Sequence, residues 1–308
     1  MPKERSRTAD YAVYVVVRLF VCVIQGLSLE KAFGLARLLA WALYRVDRRH
    51  RDVALDNLKA AFGDSMNEVE RRELVRGVYR HFCGLLMELI HLSRRLHPKT
   101  WRRYVALKGG KKLVECLLSD RPLMIVTAHF GNWEMGGYVL GFLGFKVHPV
   151  ARPLDNPYLD DFLRSFRERH GQRVLAKKGD FDEMQKLLAD GGVLATLGDQ
   201  DAGQRGLYVD FFGRLASTHK AIALMALEYQ VPIVVALAHN TGKPLHYVID
   251  TDQLILPEDY SNRPDAVPAI TQQYTSVLEQ AVREWPDQYF WLHRRWKHQP
   301  AKARKRVA

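Results

Sequence analysis

Two apolar stretches lie near the start of the chain. Residues 11–27, YAVYVVVRLFVCVIQGL, are broken only by Arg18 and Gln25, and FGLARLLAWALY covers 33–44. Neither is a clean transmembrane span: a crossing helix wants about 20 apolar residues, and a central arginine costs about 2.5–3.5 kcal/mol on insertion scales. The pattern predicts shallow insertion at a membrane surface. The basic cluster Arg45, Arg48, Arg49, His50 and Arg51 follows directly and suits anionic headgroups. The competing reading is a buried helical hairpin with a solvated basic end. Over 67–96, Val69, Leu74, Val78, Phe82, Leu85, Leu86 and Leu89 recur near helical spacing, so the first third of the chain reads as helical.

From about residue 104 the pattern changes to short β-rich runs alternating with helical ones. The expected strands are Leu123–Thr127, Lys146–Ala151, Arg173–Ala176, Val193–Leu197, Tyr208–Phe211, Pro232–Ala238 and His246–Ile249. The expected helices are Asn132–Leu143, Pro157–His170, Phe181–Ala189, Thr218–Tyr229 and Val267–Glu284. The fold class is α/β, a mixed sheet flanked by helices. Mixed pairing is inferred because Leu207–Phe212 follows the preceding strand by a loop too short for a helical crossover. This divides the chain into a helical, membrane-associating region at 1–103, an α/β domain at 104–298 and a basic tail at 299–308.

Charge narrows the partners. Lys and Arg number 46 against 34 acids, a formal charge of +12, which points to nucleic acid, an acidic membrane surface or a phosphorylated substrate. Cys22, Cys83 and Cys116 are scattered without metal-type spacing, so they predict neither a disulfide framework nor a zinc site and fit a reducing compartment. No secretory signal is expected, because no small-residue cleavage pattern follows the first apolar run.

The segment LMIVTAHFGNWE places His129 directly after a buried-looking strand, with Glu134 five residues on at a helix start. With 12 histidines and 34 acids in 308 residues, roughly one such pair arises by chance. Only His129 has an acid at that distance, and it sits at a strand's C-terminal edge, where α/β folds place ligands. An imidazole there can take a proton from a hydroxyl while a carboxylate on its other nitrogen fixes the tautomer. His129 is therefore expected to be the base and Glu134 its orienting acid, the turn at Gly131 letting them meet. The alternative is a loop histidine and a Glu serving the helix dipole.

Other side chains carry two readings each. Arg152, after a strand, could clamp a phosphate or be a surface arginine. Asp199 and Asp201 could bind a sugar hydroxyl or form an Asx turn. Asn132 could donate to an oxyanion, though capping the next helix explains it better. Gly213 and Arg214, leading into Ser217, Thr218 and a helix, form a plausible anion-holding turn. Arg294, Arg295 and Lys297 interleave with Trp291 and Trp296, which suits a membrane interface; no nucleic-acid module accompanies them.

AHFGNWE resembles the H-x4-[D/E] block of the glycerolipid acyltransferase superfamily, in its bacterial lipid A late acyltransferase branch. VHPVARPLDNPYLDDFLRSFRERHG is similar to that branch's second block, with Arg152 at its arginine. VDFFGRLASTHKAIALMALEYQVPIVVALA, including the V-P-[IV]-V strand at Val231–Val234, and PDQYFWLHRRWK at Pro286–Lys297 resemble the closing blocks. The resemblance covers roughly 30–297. The superfamily's E-G-T-R block is absent; GDQDAG at Gly198–Gly203 stands nearest, which weakens a simple glycerol-phosphate reading. The resemblance implies acyl transfer from acyl carrier protein or acyl-CoA to a hydroxyl of an anionic lipid, such as a lipid A precursor, at the cytoplasmic face of the inner membrane. It implies His129 and Glu134 as catalytic, Arg152 as binding the substrate's phosphate, and no metal or redox cofactor; Asn132, Asp199, Asp201 and Arg214 remain further candidates for substrate binding. A lysophospholipid or aminolipid acceptor, or a basic lipid-binding protein without catalysis, are the alternatives.

Overall fold

The computed structural model describes residues 6–177 and 179–300; the expected basic tail lies outside them from 301 on. Four helices come first: α1 (Arg7–Gly26), α2 (Leu29–Val46), α3 (Arg48–Phe62) and α4 (Glu68–Arg95). Each start has a chemical cause. Ser6, Ser28 and Asp47 accept from backbone N–H groups of the first turns of α1, α2 and α3, and Asn67 with Glu70 forms a reciprocal capping box on α4. The basic run after residue 44 therefore belongs to a helix boundary, and α3 is an element the hydrophobic pattern did not single out.

Nine strands and six more helices follow: β1 (Val105–Lys108), α5 (Gly110–Leu117), β2 (Leu123–Thr127), α6 (Trp133–Phe142), β3 (Val147–Ala151), α7 (Pro157–Glu168), β4 (Leu175–Ala176), α8 (Phe181–Ala189), β5 (Val193–Leu197), β6 (Leu207–Phe211), β7 (Arg214–Thr218), α9 (Ala221–Glu228), β8 (Ile233–Asn240), β9 (Tyr247–Ile255) and α10 (Ala266–Glu284). Seven strands form one sheet in the order β1-β9-β8-β2-β5-β3-β4. Every pair is parallel except β8 with β9. The sheet is mixed as expected, but for a different reason. The short loop after β5 leads to β6, which pairs antiparallel with β7 in a separate two-stranded sheet. The antiparallel pair within the main sheet is the β8–β9 hairpin.

β2 lies in the middle of the sheet, hydrogen-bonded to β5 on one side and β8 on the other, and Leu123, Met124, Ile125 and Val126 are all buried. A strand covered on both faces needs such an unbroken apolar run. Ile24, Ala32, Ala36 and Leu58 of the first helices belong to the same buried cluster as Met124 and Val126. One face of α1 is docked along α7: Asn156 Nδ2 donates to the Asp10 carbonyl at 2.9 Å, Tyr14 meets Phe162, and the Arg18 guanidinium lies over the Phe162 ring at 4.7 Å. Arg18, though exposed, thus interrupts the apolar run where α1 meets the Phe162 ring of α7.

Candidate active site

β2 runs into Ala128–Asn132, a loop tied down from two sides. Phe290 N donates to the His129 carbonyl and Gly131 N to the Gln288 carbonyl, both at 2.9 Å, so the C-terminal segment zips onto the loop. Asn132 N donates to the Ala238 carbonyl at the end of β8. Gly131 has φ +54°, and a Cβ there would fall 1.7 Å from the Ala238 oxygen, so only glycine permits this turn. The His129 ring packs edge-on to Trp133, 5.2 Å between centroids.

The carboxylate on His129 is Asp199. Nδ1 lies 2.9 Å from Asp199 Oδ1, and His129 N donates to Oδ2 at 3.2 Å. The Asp199 side chain is 1 % exposed and that of His129 21 %. Burial pulls the Asp199 carboxyl upward, but the charge and hydrogen bond of His129, aided by His293, outweigh it and hold the group at about 2. Burial likewise pulls His129 downward, and Asp199, with a smaller contribution from Glu134, reverses this to a net rise. With Nδ1–H donated to a carboxylate, the lone pair sits on Nε2, the tautomer a general base requires.

Glu134 takes another role from the one expected. It stands in the first turn of α6 and forms a two-pronged pair with Arg167 of α7: Nε donates to Oε2 at 3.1 Å and a second guanidinium N–H to Oε1. Its charge reaches His129, but its oxygens are committed to the arginine. Asn132 is fully buried; its Oδ1 caps α6 through Met135 N, and its Nδ2 donates to the buried Glu88 at 3.4 Å. Capping is its role in the fold, and neither end is turned to a ligand. The Arg152 side chain is 81 % exposed and pairs with Asp155. Asp201 holds His298, its Oδ2 2.6 Å from Nδ1. The anion-holding turn expected at Arg214 is corrected: Arg214 opens β7 opposite Phe211, α9 begins only at Ala221, and the guanidinium lies over Trp296. Among the described residues no three His, Cys, Asp or Glu side chains gather as a metal site would.

Beside Trp133 and Glu134 opens a narrow cleft of about 140 Å³, lined mostly by apolar side chains including Leu113, Leu117, Val139, Leu140, Leu143 and Phe145. Glu134 and Arg167 both border it. The narrow apolar lining suits one slender apolar ligand.

Residues 2–298 match the family described as bacterial lipid A biosynthesis acyltransferase. The chain belongs to this family. It is an acyltransferase. It is 26 % identical to the lipid A biosynthesis lauroyltransferase of Escherichia coli over 83 % of this chain and 82 % of that one. The palmitoleoyltransferase of the same organism is 22 % identical over 82 % and 80 %. A phosphatidylinositol mannoside acyltransferase of Mycolicibacterium smegmatis is 24 % identical over 73 % and 78 %. Within this acyltransferase the sequence reading missed three things. Arg167 gave no local signal. Tyr289 of the C-terminal run is buried and His293 half-buried with its Nε2 enclosed, and Asp199 acts electrically on both. Asp199 was expected to touch substrate, whereas it stands behind the histidine.

Proposed function

We propose that this acyltransferase moves a fatty acyl chain from an acyl thioester, on acyl carrier protein or coenzyme A, to a hydroxyl of a phosphorylated lipid such as a lipid A precursor, with His129 as general base. The observation that carries the reading is the His129–Asp199 pair beside an apolar cleft at the C-terminal edge of the sheet. Nε2 of His129 removes the proton from the acceptor hydroxyl as its oxygen attacks the thioester carbonyl. The tetrahedral intermediate then expels the thiolate, which takes the proton back from the imidazolium, so an ester forms and a thiol leaves. Asp199 stabilises the imidazolium between the two steps. The cleft takes the acyl chain, and the Glu134–Arg167 pair fixes its mouth by joining α6 to α7.

The setting supports a lipid substrate. Opposite its docked face, α1 exposes Val13, Val16, Leu19 and Val23, and α2 exposes Leu38 and Trp41, with Arg45 over the Trp41 ring at 4.1 Å. An amphipathic helix with one face on the protein and the other apolar and open lies in a membrane surface rather than across it. The chain's +12 charge favours the anionic cytoplasmic leaflet of the inner membrane and an acidic carrier protein as donor.

Reconstitution in vesicles with acyl carrier protein or coenzyme A thioesters tests this reading, with a lipid A precursor, a lysophospholipid and a phosphatidylinositol mannoside offered side by side. Mass spectrometry should find acyl ester on the lipid A precursor, and His129→Ala should abolish it while the protein still floats with vesicles. Undiminished transfer by His129→Ala would overturn the mechanism. The likeness to a mannoside acyltransferase favours that lipid as the second acceptor to test.

A further inference from the structure

Asp199 has a near-copy two residues along the same loop. Asp201 holds His298 by the same pair of contacts: Oδ2 lies 2.6 Å from Nδ1, and His298 N donates to Oδ1 at 3.3 Å. The His298 side chain is 21 % exposed, as is that of His129. The loop is fixed by Ser217, whose carbonyl accepts from Ala202 N and whose hydroxyl donates to the Gly203 carbonyl. Next to Ser217 and Thr218 stands His219, and its Nε2 lies 3.0 Å from the Lys177 ammonium, just beyond β4. Both pairs gather at the C-terminal ends of β4 and β5, where open α/β sheets bind ligands.

Two groups that both become cations are in contact here, and among the described residues no carboxylate pairs with Lys177. The acid that acts on His219, Asp201, is committed to His298 and to Gly203 N, and Asp180, close by, accepts from Ala176 N. The charged groups reaching His219 are Lys177 after β4, Arg295 of the C-terminal segment and Asp201. Burial, with the Lys177 and Arg295 charges, pushes His219 toward its neutral form, and Lys177, exposed as a residue, is pushed the same way by the partial desolvation of its ammonium. An anion seated between them would restore their charge and gain donors from the Lys177 ammonium, His219 and His298 Nε2. A carboxylate needs fewer donors; a phosphate dianion matches three.

We propose that Lys177, His219 and the Asp201–His298 pair form a phosphate-binding site, which receives a phosphate monoester carried by one of the two substrates. This rests on the acyl-transfer reading above only for the identity of the ligand. The phosphate is either the monoester on the lipid acceptor or the ribose 3′-phosphate of a coenzyme A donor.

The test uses the full chain in detergent micelles, with Lys177→Gln and His298→Gln beside the native protein. Lys177 is exposed, so its variant should fold even if the His298 variant does not. Against a phosphorylated acceptor, either variant should raise KM about tenfold, with the change in KM rather than kcat and none for the same acceptor after phosphatase treatment. If the donor KM rises instead, the site stands and its phosphate is the donor's. Unmoved KM for both substrates overturns the proposal. Calorimetry with inorganic phosphate gives a readout independent of turnover: the native protein should bind it with proton uptake near neutral pH, and Lys177→Gln should lose that uptake. No phosphate binding by the native protein refutes the site. Phosphate binding by a protein that transfers no acyl group leaves the site and removes only the acyl-transfer reading.

Discussion

Asp199→Asn and Glu134→Gln pull apart two carboxylates that both act on His129. In Asp199→Asn the new amide can present its N–H₂ to His129 Nδ1, driving the ring to the tautomer with its proton on Nε2, where it cannot serve as base. Loss of general-base catalysis is worth roughly 10²–10⁴ in kcat, about 3–5 kcal/mol of barrier. The sign of the pH effect follows from the balance at His129. Burial lowers its pKa and Asp199 more than compensates, so the native acid limb of kcat/KM lies above the ordinary imidazole range. Removing the Asp199 charge leaves burial to dominate, and the limb moves to lower pH. The native-to-variant ratio therefore shrinks as pH falls. Glu134→Gln behaves differently, because Glu134 contributes less to His129 and its side chain, 12 % exposed, balances Arg167, 16 % exposed. An unpaired, largely buried guanidinium costs about 1–3 kcal/mol of stability after allowance for partial solvation. Steady-state pH profiles and urea unfolding on both variants decide the matter. If Glu134→Gln loses catalysis at full stability while Asp199→Asn stays within tenfold of native, or if the Asp199→Asn limb moves upward, the assignment of Asp199 as the partner of His129 is wrong.

Gly136 borders the apolar cleft, and a Cβ there meets no atom within 4 Å. Gly136→Leu should fold, since leucine suits a helix better than glycine, and should exclude about three methylenes of a long acyl chain. At about 0.8 kcal/mol per methylene this is about 2 kcal/mol, or some thirtyfold in kcat/KM toward shorter donors; competition among acyl thioesters read by mass spectrometry checks it. Asn57 is buried, and its Nδ2 donates to the Trp291 and His293 carbonyls, both at 2.7 Å. Asn57→Ala strands both carbonyls and should cost about 2–4 kcal/mol in urea unfolding.

Much of the fold was open to reading because it follows from short-range pattern. The apolar run of β2, the alternation of strands and helices after residue 104 and the helical periodicity of α4 all need only neighbours in sequence. β1, α3 and α5 escaped because each has few buried side chains; β1, for example, buries Val105 alone. β7 escaped because Arg214–Thr218 has polar residues and sits beside a helix start, so the chain was read as entering α9 at Thr218, three residues early. Which strands lie side by side is a long-range fact, and that is where the reading of the site went astray.

The H-x4-E spacing invited the inference that residues near in sequence meet in space. Gly131 does turn the chain sharply, but Asn132 then caps α6, and the helix carries Glu134 toward α7, where Arg167 claims it. The partner of His129 comes instead from sheet register. β2 and β5 run parallel with Thr127 opposite Leu197, so His129 and Asp199 each stand two residues past paired positions and leave the sheet side by side. Had the β2–β5 pairing been known, the loop GDQDAG would have pointed to Asp199 at once. The same register explains why one loop supplies both acids: Asp199 turns inward to the histidine of β2, and Asp201, two residues farther out, is placed to hold His298 near the rim. In a parallel sheet a catalytic carboxylate is thus better sought at the matching step of the neighbouring strand than a fixed number of residues down the chain.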